Sequence, residues 1–210
     1  IALGGYINAG QVCISVQRVI VDEKIMANFL DALKPKVEAI TVGDPSASTT
    51  KVGTLITEAE AIRVEGAIAQ AVKDGAKLLT GGERDKTIIK PAIVCEVDPN
   101  SAFAQDELFG PAIAVSSARG IKAAIGQANN TVYGLGAGVF TAGVDVAIQA
   151  AREIDAGIIH INWTPLWRAD LMPYGGLKSS GIGKEGVRST VNEMTEEKTI
   201  ILHGKSWNEK

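Results

Sequence analysis

Ala112-Ile113-Ala114-Val115-Ser116, Gly136-Ala137-Gly138-Val139-Phe140-Thr141 and Gly157-Ile158-Ile159-His160-Ile161-Asn162 are three short apolar runs, separated by helical patterns over 120–129 and 143–155. Strands spaced by helices point to an α/β fold. Parallel neighbours need crossover connections, and the crossover helices cover the sheet. The expected architecture is therefore a mostly parallel twisted sheet with helices on both faces.

Moving outward, Pro91–Val97 is a further strand-like run and Gln17–Asp22 reads as a buried strand. Residues 24–40 read as an amphipathic helix that Pro35 should kink or divide. Gly43-Asp44-Pro45 and the Ser/Thr run to Thr50 read as a loop. Residues 57–74 form a helix pattern opened by a Thr57/Glu60 capping box and closed by Gly75. After a Gly-rich stretch and a short helix near 184–193, Glu196–His203 reads as a strand with no following helix. It is expected to pair outside the main sheet, for instance with another subunit. The division expected is residues 1–194 as one cysteine-bearing domain and 195–210 as an oligomerisation strand and tail.

The 210 residues allow one large domain, or one domain with a small appendage. Hydrophobic residues at 46% and charged residues at 21% suffice to bury a core. Aromatics at 5% beside 23 glycines suit tightly packed helix–strand layers better than a β-sandwich. A net charge of −3 supplies no basic field for a phosphate backbone, so nucleic acid is not expected as a partner. No apolar run approaches the ~20 residues that span a bilayer. The opening Ile1-Ala2-Leu3-Gly4-Gly5-Tyr6 lacks an initiating Met and a basic region, and reads as the start of a piece of something longer. Two cysteines are too few for a disulfide framework, which makes a cytoplasmic setting the default expectation.

Three segments carry chemistry. In Asn8-Ala9-Gly10-Gln11-Val12-Cys13 the sulfur lies at a helix-to-strand joint, where a thiolate nucleophile can meet substrate; a small buried hydrophobe is the other reading. Cys95, ending an apolar run, fits the buried role. His160 sits within an apolar strand and His203 near the terminus, so neither a Cys–His protease pair nor a zinc site is supported. In Asp106-Glu107-Leu108-Phe109-Gly110-Pro111 the Gly-Pro turn presents Glu107 and Phe109 from a loop. A carboxylate can take both hydroxyls of a ribose and an aromatic can press on a flat heterocycle; a solvated acid and a core Phe are the alternative. The third segment, Pro173-Tyr174-Gly175-Gly176-Leu177-Lys178-Ser179-Ser180-Gly181-Ile182-Gly183-Lys184-Glu185-Gly186, has neither P-loop nor dinucleotide-fingerprint spacing. Its glycines are expected to let the backbone pass close to another segment.

Taken in order, Gly10-Gln11-Val12-Cys13, Gly43-Asp44-Pro45, Gly81-Gly82-Glu83, Lys90-Pro91, Glu107-Leu108-Phe109-Gly110-Pro111, Asn129-Asn130-Thr131-Val132-Tyr133-Gly134-Leu135, Val139-Phe140-Thr141 and Pro173-Tyr174-Gly175-Gly176-Leu177-Lys178 through Gly186 resemble the aldehyde dehydrogenase superfamily over nearly the whole chain. The resemblance implies an oxidoreductase that uses NAD or NADP and acts on a small aldehyde, with the aldehyde dehydrogenase catalytic-domain fold. It also implies a homodimer or homotetramer in the full-length protein. Cys13 matches the nucleophile that forms the thiohemiacetal and thioester, Glu107 the carboxylate on the nicotinamide ribose, and Phe109 the ring beside it. Asn162 and Tyr174 match the substrate tunnel. Glu185 matches an acid of the proton-relay region, with a surface ion pair as the alternative, and the Lys178 and Gly181 carbonyls match a monovalent-cation site of some members.

The resemblance further implies that the general-base Glu, the side-chain amide of the oxyanion hole, a cofactor-binding Lys and the dinucleotide-binding domain lie upstream of this stretch. The isolated 210 residues are accordingly expected to be inactive, and a non-catalytic interaction or oligomerisation module is the other function class. Trp163 and Trp167 fall where the family varies its pocket. Arg168 resembles an Arg of lactaldehyde- and phosphonoacetaldehyde-type members that can pair an anionic end; an interface Arg bonded to Asp170 is the alternative. Val12 stands where phosphonoacetaldehyde-type members tend to have Arg, which argues against a phosphonate.

Overall fold

A computed structural model describes residues 1–204. Strand β1 (Arg18–Asp22) leads through a short 3₁₀ turn into α1 (Met26–Glu38), and α2 (Glu58–Lys73) follows a long loop. Then come β2 (Lys77–Thr80), the small hairpin β3 (Arg84–Asp85) and β4 (Ile88–Ile89), β5 (Ala92–Cys95), the single-turn α3 (Ala102–Gln105) and β6 (Ala112–Ala118). The remainder is α4 (Gly120–Asn129), β7 (Tyr133–Gly134), β8 (Gly136–Val139), α5 (Val144–Glu153), β9 (Ile158–Ile161), β10 (Leu177–Lys178) and α6 (Val187–Met194).

The main sheet has the order β1-β6-β5-β2. β6 pairs in parallel with both β1 and β5, while β2 lies antiparallel on β5 at the edge, with a register shift between Leu78 and Thr80. All of β5 and the first four residues of β6 are buried. Burial at successive positions means cover on both faces, since alternate side chains point opposite ways. Leu33 and Val37 of α1 and Ala61, Val64, Ile68 and Ala71 of α2 join these strands in one core, and α4 rests on β1 and β6. Farther along the chain, β8 and β9 form a separate parallel pair joined by α5, and β7 pairs with β10.

Local chemistry sets the boundaries. Thr57 accepts from the Glu60 N–H at 3.2 Å, the N-cap half of the expected box, and Gly75 takes φ +106° just past the helix end. Asp22 ends β1 by accepting from the N–H groups of Lys24 and Gly120, which ties the strand to the start of α4. Pro35 neither divides nor ends α1. It lies near the helix end on the exposed side, so the Asp31 carbonyl it orphans faces water, and the Ala39 N–H still closes onto the Pro35 carbonyl at 3.1 Å.

Among the described residues, Glu196–His203 joins no sheet and is exposed throughout; the rest of the expected tail, 205–210, lies outside them. No helix of the described residues is long and apolar enough to cross a membrane.

Candidate active site

Three left-handed residues in succession shape the loop that carries Cys13. Asn8, Ala9 and Gly10 have φ of 51°, 55° and 73°. Gly10 is obligatory: a Cβ there would collide with the Gly110 carbonyl. That close approach seats the cysteine loop directly on the Glu107–Pro111 loop. Gln11 anchors it from the other side, donating to the Asn8 and Thr54 carbonyls and accepting from the Ile56 N–H at 2.9 Å. A turn from Val12 to Ser15, closed at 2.8 Å, then projects Cys13 outward, and Cys13 is exposed. Among the described residues no group accepts from the Cys13 backbone N–H.

Cys95 differs in every respect. It is buried in β5, and desolvation first, then the neighbouring Glu96, pushes its thiol up from the ordinary range.

Over Cys13 stands Tyr174. Its hydroxyl lies 2.8 Å from Cys13 Sγ, across 161 residues of sequence. The Tyr174 ring is buried, and burial, the Cys13 contact and the nearby Glu185 hold its hydroxyl well above the usual phenol range; Arg168 opposes this. The Arg168 guanidinium sits 4.4 Å over that ring, a cation on the negative face of an aromatic. Glu185 approaches Arg168 at 4.0 Å, an exposed pair in which screening leaves little stabilisation. It is fixed by its backbone, whose N–H and carbonyl exchange hydrogen bonds with those of Tyr174. The structure thus gathers Cys13, Tyr174, Arg168 and Glu185, and among the described residues Arg168 pairs with Glu185 rather than Asp170.

On the adjoining loop Glu107 and Phe109 are both exposed while Leu108 between them is buried. Phe109 takes a left-handed φ of 50°. An exposed carboxylate and an exposed aromatic ring thus flank a buried residue on the loop against which the Cys13 loop is seated.

Other expected residues serve differently placed roles. The Asn162 Oδ1 accepts from the Thr141 N–H at 2.8 Å and its own N–H donates to Val139, closing the ends of β8 and β9. Trp163 is half exposed, and Trp167 packs edge-on to His160 with centroids 6.2 Å apart. The Lys178 ammonium donates to the Asn129 and Thr131 carbonyls, and both Lys178 and Gly181 have positive φ. No group of His, Cys, Asp and Glu among the described residues could hold a metal ion. The glycines do allow close passage: Gly157 abuts the Gly175 carbonyl, which also accepts from Lys184 at 2.8 Å.

Two contributors escaped sequence reasoning. Gln17 and Arg63 both hold the backbone of Leu108; the strand and helix patterns that contain them are legible, but nothing in those patterns shows that either side chain reaches the Glu107–Pro111 loop.

Residues 1–200 match the family model described as the aldehyde dehydrogenase family. The 3-sulfolactaldehyde dehydrogenase of Priestia aryabhattai is 44% identical over 196 residues, covering 93% of this chain and 41% of the relative. The lactaldehyde dehydrogenase of Methanococcus maripaludis is 39% identical over 198 residues, covering 94% and 42%. Among solved structures, the glyceraldehyde-3-phosphate dehydrogenase GapN of Methanocaldococcus jannaschii, complexed with NADP, superposes with a TM-score of 0.91 at 38% identity, covering 96% of this chain and 44% of that one. The chain therefore spans about two fifths of the length of the relatives it matches. The shared fold, the loop that presents Cys13 and the match over residues 1–200 place this chain in the aldehyde dehydrogenase family.

Proposed function

We propose that this chain supplies the nucleophile-bearing part of an NAD- or NADP-dependent aldehyde dehydrogenase, with Cys13 as the attacking group. The observation that carries this is the exposed Cys13 sulfur held 2.8 Å from the Tyr174 hydroxyl, on a loop whose Gly10 is seated against Gly110 of the segment that bears Glu107 and Phe109.

The Cys13 thiolate adds to the aldehyde carbon, forming a C–S bond while the carbonyl electrons move onto oxygen. The Cys13 backbone N–H, without a partner among the described residues, donates to that developing oxyanion. A bound nicotinamide supplies the hydride acceptor that turns the thiohemiacetal into a thioester. Water then cleaves the C–S bond, releasing the acid and the thiol. Glu107 would hold the ribose hydroxyls and Phe109 would back the ring; relatives solved with NADP and with NAD+ support this dinucleotide class. Glu185, exposed beside Arg168, is the residue assigned to pass the released proton outward.

The substrate proposed is a small aldehyde with an anionic end. Arg168 brings a cation over the Tyr174 ring, within reach of what Cys13 attacks, and one relative is named for 3-sulfolactaldehyde, whose sulfonate is a fixed anion. Trp163, Trp167 and Asn162 are assigned to the outer wall of the pocket.

The exposed Ile200, Ile201 and Leu202 and the exposed Val187, Val191 and Met194 of α6 favour association with further protein, as a homodimer or homotetramer of the full-length protein. The test of the catalytic reading is Cys13→Ala in that protein. Aldehyde oxidation should vanish with the fold intact, because a small exposed side chain is removed; most activity retained would show that the nucleophile lies elsewhere.

A further inference from the structure

The segment that presents Glu107 and Phe109 belongs to no strand, so its peptide groups lack a sheet to pair with. Left to water, such a segment would open readily. Here both polar groups of Leu108 are taken by side chains from distant elements. Gln17, the residue before β1, accepts from the Leu108 N–H at Oε1, 2.9 Å away, and donates from Nε2 to the Asp106 carbonyl. Its amide thus donates and accepts as a peptide unit of a neighbouring strand would. Arg63 of α2 donates to the Leu108 carbonyl at 2.6 Å while its Nε holds Glu60 at 2.8 Å. The Leu108 side chain is itself buried, so the residues on either side of it project outward.

Gln17 is also four residues beyond Cys13 in an unbroken segment, and Gly10 of that segment abuts Gly110. One stretch, 10–17, therefore carries the nucleophile at its middle and grips the Glu107–Phe109 loop at both ends.

We propose that Gln17 and Arg63 are positioning residues that lock the Leu108 backbone and so set where Glu107 and Phe109 stand relative to Cys13. Their role in cofactor placement rests on the dehydrogenase reading above; the lock itself does not. Neither residue touches substrate. Gln17→Met keeps length and loses both hydrogen bonds. Arg63→Met, at a partly exposed helix position, gives an independent variant should the first fold poorly.

The experiment is amide hydrogen exchange over 106–110 in the full-length protein, with cofactor KM, kcat and peptide-resolved alkylation of Cys13 measured on the same samples. Gln17→Met should speed exchange at Leu108 by about tenfold, the effect of one net hydrogen bond. Cofactor KM should rise by a similar factor while Cys13 alkylation changes by less than about twofold. Arg63→Lys, whose ammonium can still donate to the Leu108 carbonyl, should recover part of what Arg63→Met loses. Unchanged Leu108 exchange in both Met variants would overturn the lock. Faster exchange with unchanged cofactor KM would overturn its positioning role. Activity surviving in Cys13→Ala would instead remove the dehydrogenase reading, while the exchange result would still decide the lock.

Discussion

Replacing Tyr174 by Phe takes one oxygen atom from the site and leaves the ring. That ring is 7% exposed, so Phe fills the same space and Arg168 keeps its seat 4.4 Å above it. What disappears is the hydroxyl 2.8 Å from Cys13 Sγ. Burial and its neighbours hold this hydroxyl above the ordinary phenol range, so it keeps its proton at neutral pH and is the donor whenever the sulfur reacts as a thiolate. A hydrogen bond to a charged acceptor contributes about 1.5–3 kcal/mol net, against about 0.5–1.5 for a neutral one. Cys13 is exposed, so water replaces part of the loss and about 1.4 kcal/mol is the working value. That corresponds to roughly a tenfold fall in rate. The assay is the second-order rate constant for iodoacetamide alkylation near neutral pH in the full-length protein, resolved by peptide mass spectrometry. Buried Cys95 is the internal reference. Cys13 alkylation should slow about tenfold in Tyr174→Phe and Cys95 alkylation should not change. An equal or faster Cys13 rate would mean that the hydroxyl gives the sulfur nothing and that Tyr174 is only a wall.

Arg168→Met should raise KM about tenfold or more for an aldehyde ending in a sulfonate or carboxylate, and leave a neutral aldehyde of similar size nearly unaffected. Equal changes for both would remove Arg168 from substrate recognition. Glu107→Ala should slow hydride transfer in stopped-flow measurements while Cys13 still alkylates at its parent rate; unchanged transfer would make Glu107 a surface acid. The isolated 210-residue chain should show negligible turnover. On the proposed reading a second oxyanion donor and the general base come from residues outside these 210; losing the donor costs about 10²–10³ in rate and losing the base roughly another 10²–10⁴. Turnover within about tenfold of the full-length protein would contradict this.

The parts of the fold legible in the sequence are those with strong local pattern. The helix over 57–74 carries its own cap in Thr57, and the apolar runs at 91–97, 112–116 and 157–162 announce strands, buried at β5 and the start of β6 and only half-buried at β9. β2 was not legible. Lys77-Leu78-Leu79-Thr80 is short and partly exposed, as befits an antiparallel edge strand, and only its pairing with β5 defines it. Pro35 misled in the other direction, because its cost depends on whether the orphaned carbonyl faces water. The Cys13 loop could be read because Gly10 and Cys13 lie close together in sequence. The Tyr174 contact spans 161 residues and the Gln17 contact with Leu108 spans 91, distances at which only the folded backbone brings groups together. The strand expected at 196–203 has nothing to pair with among the described residues, so local pattern had no tertiary partner against which to be realised.

The assignment of Cys13 as nucleophile stands or falls on where the substrate becomes attached. The full-length protein, mixed with an anionic aldehyde and NAD+ or NADP+ and quenched in acid within one turnover, should yield an acyl thioester on the peptide containing Cys13 and none on the peptide containing Cys95. Turnover without any adduct at Cys13, or an adduct at Cys95, would contradict it.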